Sequence, residues 1–359
     1  MHYIIDEDLT EIARALKDEA AVLAGKTLLV SGGAGFLGCY IVGAIQRLNR
    51  EVLPQPCHII VVDNYITGSK NGFLKEIADE NVAVREQDIR IPLRLDGPVD
   101  YIMHAAGLAS PVYYRKYPLE TIGAAIEGAK NLLELGREKQ AKSFLLFSSS
   151  EIYGDPDPNF IPTPETYKGN VSCVGPRSCY DESKRLAETL AMSYHDVYGL
   201  PVKIVRPFNV YGPGMKADDY RVVPTFLARS LRGQPIPVHD KGNQTRTFCY
   251  IADAIVGFLK VLLWARGGEI YNVGRDKEEI DMMMLANTVA ELFSRKPPIA
   301  LVNYPETYPA DEPRRRCPDL TKIRRELGYE SRVDLKTGLG RTLEWFREVA
   351  IPPSDSALV

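Results

Sequence analysis

The chain has 359 residues, of which 45% are hydrophobic and 25% are charged, with a formal net charge of −3. These values are typical of a globular protein with one large or two modest domains, and the near balance of charge argues against a nucleic acid or a membrane surface as partner. No apolar run is long enough to span a bilayer, since Lys260 interrupts the run Ala254–Trp264.

The first 25 residues are acidic where a signal peptide would be basic. Their pattern predicts an N-terminal extension over residues 1–25 that forms an amphipathic helix, capped near Asp8 or Thr10. The six cysteines form no C-x-x-C pair and show no metal-ligand spacing. We therefore expect reduced thiols, no bound metal and a cytoplasmic location.

Strand and helix patterns alternate over residues 26–207. The predicted strands are Thr27–Ser31, His58–Asp63, Val82–Asp88, Tyr101–Ala105, Ser143–Ser149 and Val202–Pro207. The predicted helices run from Phe36 to about Leu48, from about Leu119 to Gly136 and from Tyr180 to Tyr198. Several strands are almost continuous apolar runs, as in parallel sheets buried on both faces. This alternation predicts an α/β fold with a Rossmann-type, doubly wound parallel sheet.

Proline and glycine become frequent after Phe208. We expect residues 208–352 to form a smaller C-terminal lobe that packs against the first domain, encloses a cleft and binds the substrate. Its predicted elements are the strand Glu269–Val273 and the helices Val222–Leu231, Ile251–Ala265 and Asp281–Ser294. We expect the tail after Pro352 to be frayed.

A glycine-rich turn follows the first strand and opens the first helix of this series, with glycines at 32, 35 and 38. Glycine permits the tight turn, and the helix N-terminus presents N–H groups to a pyrophosphate. Asp63 ends the second strand, where a carboxylate can accept both ribose hydroxyls and repel a 2′-phosphate, which favours NAD over NADP. The residues predicted to hold NAD are Gly32, Gly35, Phe36, Leu37, Gly38, Asp63, Asn64, Asp88, Ile89, Ala105, Lys184 and Pro207.

Tyr180 and Lys184 lie four residues apart, hence on one face of a helix. A free tyrosine titrates near ~10, and both a nearby ammonium and a cationic nicotinamide lower that pKa. Ser149, at the end of the fifth strand, can hydrogen-bond a reacting hydroxyl. Glu151 follows at the carboxyl edge, where such sheets bind ligands. This combination predicts hydride transfer between a dinucleotide and a sugar carbon.

These motifs resemble the extended short-chain dehydrogenase/reductase superfamily and, within it, the UDP-glucuronate decarboxylases. The resemblance runs from about Lys26 to Phe346. The segments that carry it are Tyr180-Asp181-Glu182-Ser183-Lys184-Arg185, Gly175-Pro176-Arg177, Arg221-Val222-Val223, Gln244-Thr245-Arg246-Thr247-Phe248, Asp311-Glu312-Pro313, Arg315-Arg316 and Pro318-Asp319.

The tripeptide Ser149-Ser150-Glu151 separates the sister activities of this superfamily. The 4,6-dehydratases usually carry Thr-Asp-Glu there, and the aspartate expels the C6 hydroxyl, which Ser150 cannot do. The 4-epimerases usually have an uncharged residue where Glu151 stands, so the tripeptide is similar to the Thr-Ser-Glu of the decarboxylases. One departure is Gly107-Leu108, where the family usually has Ser-Pro.

The resemblance implies a carboxy-lyase with bound NAD that converts UDP-glucuronate to UDP-xylose through a 4-keto intermediate. The catalytic residues would be Tyr180, Lys184, Glu151, Ser149 and Arg246. The substrate-binding residues would be Ser150, Arg177, Asn209, Arg221, Val222, Arg246 and Arg316. Arg246 would serve the sugar and its carboxylate, while Arg316 and Arg221 would meet the diphosphate or ribose. The resemblance also implies a homodimer through the helices near Leu119–Gly136 and Tyr180–Tyr198.

Two alternatives stay open. A 4,6-dehydratase or 4-epimerase acting on a related nucleotide sugar would use the same first step. A catalytically silent NAD sensor, which reports redox state through partner binding, belongs to a different class. The intact set of Tyr180, Lys184 and Glu151 argues against the sensor.

Overall fold

The computed structural model describes residues 1–70, 72–304 and 313–351. The helices are α1 (Tyr3–Ala15), α2 (Phe36–Glu51), α3 (Phe73–Ile77), α4 (Pro111–Lys116), α5 (Pro118–Glu138), α6 (Ser178–Tyr198), α7 (Val222–Leu231), α8 (Ile251–Trp264), α9 (Met282–Ala290), α10 (Thr321–Leu327) and α11 (Leu335–Trp345). Short 3₁₀ turns cover Ala20–Leu23, Ser150–Tyr153 and Pro158–Phe160, and a π-helical turn covers Phe346–Ala350.

The strands are β1 (Thr27–Ser31), β2 (His58–Asp63), β3 (Val82–Glu86), β4 (Tyr101–His104), β5 (Ser143–Phe147), β6 (Val202–Pro207), β7 (Val210–Tyr211), β8 (Ile236–His239), β9 (Thr245–Arg246), β10 (Cys249–Tyr250), β11 (Glu269–Val273), β12 (Ile280–Asp281), β13 (Ile299–Val302) and β14 (Arg315–Arg316). In the part of the chain that is described, seven of them form one parallel sheet in the order β11-β6-β5-β4-β1-β2-β3. This arrangement confirms the predicted Rossmann-type fold.

The position of β1 in this sheet creates the binding edge. β1 pairs with β2 on one side and with β4 on the other, so the direction of winding reverses between them. Ligands bind in the crevice that such a reversal opens at the carboxyl ends of the strands. The apolar runs of β4 and β5 are buried along their whole length, whereas the edge strand β3 is largely exposed.

Elements after residue 207 contribute to two different layers. β11 pairs with β6 and completes the central sheet, and the apolar helix α8 packs against β5 and β6. The small sheets β13-β8 and β12-β9-β14 lie outside that layer. The domain boundary near residue 207 therefore stays a prediction. α8 and β11 follow that boundary in sequence, but they pack on or belong to the central sheet.

The N-terminal helix differs from the sequence expectation at its cap. His2 is the N-cap of α1, and its ring accepts a hydrogen bond from the Ile4 N–H at 3.3 Å. A cap near Asp8 or Thr10 is therefore wrong, because both residues lie inside the helix. Asp8 is fully buried and accepts hydrogen bonds from Tyr40 and Tyr250. α1 packs on α2 and α8, which explains its apolar face.

None of the helices in residues 1–70, 72–304 and 313–351 is long and apolar enough to cross a membrane. The tail expected to fray after Pro352 lies outside the described residues. Asp311 and Glu312, which form part of the family resemblance, also lie outside them.

Candidate functional site

Two cavities lie along the carboxyl edge of the central sheet. The larger has a volume of about 820 Å³ and the smaller about 440 Å³. Leu37, Ala105, Gly107, Ala109 and Arg221 line both, so the two cavities adjoin each other. The larger is lined by these predicted cofactor residues: Gly32, Gly35, Phe36, Leu37, Gly38, Asp63, Asn64, Asp88, Ile89 and Ala105. The smaller is lined by these predicted residues: Ser149, Ser150, Glu151, Arg177, Tyr180, Lys184, Pro207, Asn209, Arg221, Val222, Arg246 and Arg316.

The glycine turn after β1 leaves no room for side chains. Gly32 has φ +75°, and a Cβ there would lie 2.7 Å from the Ala106 backbone. A Cβ on Gly38 would lie 2.2 Å from the Gly32 carbonyl oxygen. Gly35 is the N-cap of α2, so the first N–H groups of that helix are available to an anion. The turn is a bare backbone cradle that fits a pyrophosphate.

A carboxylate stands at the far end of this cradle. Asp63 accepts hydrogen bonds from the Ala34 N–H at 2.9 Å and the Tyr65 N–H at 2.8 Å, which fix its orientation. Burial raises the pKa of Asp63, and these two backbone hydrogen bonds oppose the rise. Asn64 donates to Asp88 at 3.2 Å. The fixed carboxylate of Asp63 matches the ribose hydroxyls of NAD and would repel a 2′-phosphate.

Tyr180 is buried and stacked in a wall of the smaller cavity. Its ring lies 5.3 Å from the ring of Tyr114, with an interplanar angle of 17°. Burial raises the pKa of Tyr180 to about 12, and a hydrogen bond with Ser149 opposes the rise. A neighbouring cation that arrives with a ligand would lower this pKa toward the range of a useful base.

Lys184 lies one helical turn beyond Tyr180. Its ammonium donates to the Phe147 carbonyl at 2.7 Å and lies 5.9 Å from the centre of the Tyr180 ring. Burial lowers the pKa of Lys184 to about 8. A Cβ on Gly107 would lie 3.4 Å from the Lys184 Nζ atom. The departure at Gly107-Leu108 therefore lies directly beside the Tyr180–Lys184 pair, with Leu108 buried against Tyr180.

Glu151 is oriented by the tight turn that ends β5. The Ser149 hydroxyl caps the turn by accepting from the Glu151 N–H at 3.2 Å. The Glu151 carboxylate accepts from Arg316 at 2.5 Å and from the guanidinium of Arg177. The neighbouring Ser148 hydroxyl is buried and has no hydrogen-bond partner among the described residues. The turn thus presents a carboxylate between two cations, next to an uncharged Ser150.

Arg246 and Arg316 lie opposite each other on the paired strands β9 and β14. Arg246 donates to the Thr245 carbonyl at 2.8 Å and to the Pro313 carbonyl at 2.6 Å, whereas Arg316 contacts Glu151. The sequence placed Arg246 with the sugar carboxylate and Arg316 with the diphosphate. These two roles stay predictions. The contact with Glu151 gives Arg316 a second candidate role, which is to orient the Glu151 carboxylate.

The remaining substrate candidates come from the segment between β6 and α7. Arg221 forms two hydrogen bonds with Asp219, at 2.5 and 2.9 Å. Asn209 has φ +40° and donates to the Thr247 carbonyl at 2.9 Å. Val222 is the first residue of α7. Each of these three candidates lines the smaller cavity.

Sequence reasoning missed two residues of this region. Tyr114 stacks on Tyr180, but no pattern around α4 indicated that contact. Asp181 is buried beside Arg177, with the Arg177 Nε atom 3.3 Å from its carboxylate. Asp181 follows Tyr180 directly in the family-like segment, and that adjacency was a usable signal.

A family model described as "NAD dependent epimerase/dehydratase family" matches residues 28–274. The chain belongs to this family, whose cofactor is NAD. The match covers the central sheet from β1 to β11, and with it the glycine turn, Tyr180, Lys184 and Arg246.

Named relatives narrow the comparison. UDP-glucuronic acid decarboxylase 5 of Arabidopsis thaliana is 42% identical over 89% of this chain and 89% of its own length. UDP-glucuronic acid decarboxylase 1 of Xenopus tropicalis is 36% identical over 90% of this chain and 72% of its own. A crystal structure of a dTDP-glucose 4,6-dehydratase from Streptomyces venezuelae, with NAD bound, superposes with a TM-score of 0.79 at 28% identity, covering 90% of this chain and 97% of that one. The resemblance seen in the motifs is confirmed.

Proposed function

We propose that the chain is a carboxy-lyase that converts UDP-glucuronate to UDP-xylose with NAD bound. The observation that carries the proposal is the Glu151 carboxylate, held by Arg177 and Arg316 in the cavity that also contains Tyr180 and Ser150. Cations at this position suit a substrate with a carboxylate. Relatives between 36% and 42% identical that bear the name UDP-glucuronic acid decarboxylase support the same reaction.

The cofactor site fits NAD on the chemistry of its residues. The cradle of Gly32 and Gly38 excludes side chains, and Asp63 offers an oriented carboxylate for ribose hydroxyls. When bound, NAD supplies a hydride acceptor for C4 of the sugar and later a hydride donor. Pro207 and Lys184 line the neighbouring cavity, where the nicotinamide end would meet the sugar.

Tyr180 accepts the proton of the C4 hydroxyl, and Ser149 donates a hydrogen bond to the same oxygen. Lys184 keeps positive charge close to the phenol, which favours phenolate. Oxidation at C4 gives a ketone β to the sugar carboxylate. When the C5–C6 bond breaks, CO2 leaves and the bonding electron pair moves onto the C4 oxygen, where Tyr180 and Ser149 stabilise it by hydrogen bonding.

Arg177 and Arg316 hold the sugar carboxylate before it leaves, because guanidinium groups pair well with carboxylates. Glu151 lies between these two cations and serves the proton that must reach C5 after CO2 has gone. Arg246 helps to position the sugar and its carboxylate, and Arg221 meets the diphosphate or ribose. Ser150 offers no carboxylic acid at the position from which dehydratases expel the C6 hydroxyl.

Product analysis tests the proposal directly. The purified protein is incubated with NAD and UDP-glucuronate, or with UDP-glucose, and the products are identified by mass spectrometry. We expect CO2 and UDP-xylose from the uronate and no 4-keto-6-deoxy sugar from the glucose. Efficient dehydration of UDP-glucose would show a dehydratase instead. Inversion of configuration at C4 without CO2 release would show an epimerase.

The Glu151→Gln variant tests whether activity depends on the charge of this side chain or only on its shape. The amide keeps the size of the residue and removes the charge and the capacity for proton transfer. We expect slower decarboxylation by roughly 10²-fold or more, with NAD binding retained. Glu182→Gln is the matched control, because Glu182 is partly exposed on α6 and pairs with Arg185 rather than with the cavity.

We also propose that the chain forms a homodimer through α5 and α6. Large apolar side chains are exposed on these helices: Leu119, Ile122, Leu186, Val197 and Tyr198. Sedimentation should give twice the mass of the chain, and Leu186→Glu should shift the equilibrium toward monomer. Leu301→Glu, at a leucine on β13 that is also more than half exposed, should leave the mass unchanged.

The compartment we propose is the cytoplasm. The cysteines are free thiols in the described residues, and Cys39, Cys57, Cys249 and Cys317 are buried. Unpaired buried thiols suit a reducing compartment. Fractionation of the native cell tests this proposal.

A further inference from the structure

Asp181 combines burial with an unused hydrogen-bond acceptor. It lies in the first turn of α6 with 5% of its surface exposed. Its Oδ2 atom accepts from Arg177 Nε at 3.3 Å. Its Oδ1 atom is buried and has no hydrogen-bond partner within residues 1–70, 72–304 and 313–351. A buried acceptor without a partner carries a desolvation penalty, so it calls for a physical reason.

Asp181 belongs to the same charged cluster as Glu151. Arg177 bridges the two carboxylates, since it donates to Glu151 and to Asp181. Arg316 donates to the same Glu151 oxygen, Oε2, that Arg177 contacts. Among the described residues, the titratable and charged groups that act on Asp181 are Arg177 at the start of α6, Glu151 on the turn after β5, Arg316 on β14, the phenol of Tyr180 and the thiol of Cys179. A uronate would add a further carboxylate to a cluster that already holds two in the described part of the chain.

We propose that Asp181 is a positioning residue that takes up a proton when a nucleotide-activated uronate binds. Protonation removes one negative charge from the cluster and lets Arg177 turn its charge toward the sugar carboxylate and Glu151. Protonation also removes the charge from a carboxylate whose Oδ1 atom has no hydrogen-bond partner among the described residues. The inference rests on the proposed function for the carboxylate of its substrate.

The contacts favour Asp181 over Glu151 as the group that takes the proton. Glu151 accepts hydrogen bonds from two guanidinium groups. Asp181 accepts from Arg177 alone within the described residues. Burial raises the pKa of Asp181 to about 7, the charge of Glu151 adds to the rise, and Arg177 opposes it. The carboxylate of a bound uronate would raise this pKa further.

The direction of the pH dependence follows from linkage. Above about pH 7 the free protein has lost the proton that the uronate complex requires, so binding must draw a proton from solution. The affinity for UDP-glucuronate therefore falls as the pH rises above about 7, by up to about tenfold for each pH unit. UDP-glucose has no carboxylate, so its affinity should lack this dependence.

Calorimetry on the NAD-loaded Tyr180→Phe protein measures the proton without turnover. UDP-glucuronate and UDP-glucose are each titrated at pH 7.5 in buffers of different ionisation enthalpy. We expect uptake of about half a proton or more with UDP-glucuronate and close to none with UDP-glucose, for a group that titrates near pH 7. Equal uptake with the two ligands would overturn the proposal.

Asp181→Asn in the same background assigns the proton to its residue. The amide keeps the shape but carries no titratable proton, so uptake should vanish. At pH 8.5 the variant should bind UDP-glucuronate roughly tenfold more tightly than its parent, because it no longer needs a proton. A merely structural role predicts weaker binding instead. If Asp181→Asn takes up as many protons as its parent, the proton goes to another group and the proposal is wrong.

The matched control is Glu182→Gln, which removes a partly exposed carboxylate from the next position of α6 and should keep the full uptake. If Asp181→Asn does not fold, Asp181→Ser takes its place, since it also lacks a titratable carboxyl, and equal uptake with the two ligands on the parent protein still overturns the proposal. The product assay is independent of this measurement. Absence of CO2 there overturns the proposed function, whereas CO2 release without proton uptake overturns the role of Asp181 alone.

Discussion

The Arg316 guanidinium donates to the Glu151 carboxylate at 2.5 Å, although 165 residues separate the two in sequence. Glu151 stands on the turn after β5, and Arg316 stands on β14 of the small sheet β12-β9-β14. The contact therefore joins the small sheet to the carboxyl edge of the central sheet. It also places a cation from the C-terminal part of the chain in the cavity that Tyr180 lines.

Replacing Arg316 with glutamine should lower kcat/KM for UDP-glucuronate by about 10²-fold or more. The change removes one partner of a largely buried charge pair and one cation that would face the substrate carboxylate. Steady-state kinetics of CO2 release measures the effect.

Arg315→Gln is the control for this prediction. Arg315 is the neighbouring arginine on the same strand, its side chain is 45% exposed, and it pairs with Glu279. A partly exposed pair contributes little, so kcat/KM should change by less than about threefold. An equal loss in both variants would mean that β14, rather than the contact with Glu151, determines activity.

The sequence predicted the central sheet well because its signals are local. β1, β2 and β6 begin and end at the predicted residues, since each is a short apolar run bounded by turn residues. The cap of α1 was mispredicted because a distant contact decides the environment of Asp8. Its carboxylate is buried by Tyr40 of α2 and Tyr250 of β10, and nothing within the first 25 residues reveals that.

The difference between local signals and distant contacts also explains which charged residues of the candidate site could be grouped from the sequence. The glycine turn, Asp63 and the Tyr180–Lys184 pair follow from spacing along one or two elements, and sequence reasoning grouped them together. The contact between Glu151 and Arg316 depends on the pairing of β14 with β9, two strands of two residues each. Such short strands carry no periodicity that sequence reasoning could use.

Tyr180→Phe should lower kcat by about 10²–10⁴-fold, which is typical for the loss of a positioned acid–base group. NAD binding should persist, because the cradle of Gly32 and Gly38 and the carboxylate of Asp63 lie in the other cavity. Rapid-mixing kinetics tests the first part, and calorimetric titration with NAD tests the second. Tyr113→Phe, at the neighbour of the stacked Tyr114, is the control. A Tyr180→Phe protein within a few-fold of wild-type activity would remove Tyr180 from the mechanism.

The wild-type protein should bind NAD more tightly than NADP, and Asp63→Ala should narrow that difference. The Asp63 carboxylate is held by two backbone N–H groups, so it cannot easily swing away from a 2′-phosphate. Alanine removes both the acceptor for the ribose hydroxyls and the repulsion. Titration with both dinucleotides measures the ratio. Tighter NADP binding by the wild type would contradict the role of Asp63, and Asp79→Ala, at a carboxylate of the loop before β3, serves as control.

The buried carboxyl of Asp8 predicts how the free energy of unfolding depends on pH. Burial raises the pKa of Asp8 to about 7, with Tyr250, Arg341 and Tyr40 opposing the rise. A carboxyl in an unfolded chain titrates near ~4, so the native state holds this proton more tightly. The contribution is fully present below about pH 4 and is lost as the pH rises through about 7.

The wild-type free energy of unfolding should therefore fall relative to that of Asp8→Asn as the pH rises from 5 to 7.5, by at most about 1.4 kcal/mol for each pH unit. Urea denaturation of both proteins at several pH values measures this difference. Asp6→Asn is the control, because Asp6 lies on the same helix with a half-exposed side chain that pairs with Arg47. A difference between wild type and Asp8→Asn that stays constant or grows with pH would mean that the buried carboxyl is ionised throughout, with Arg341 and the two tyrosines compensating its burial.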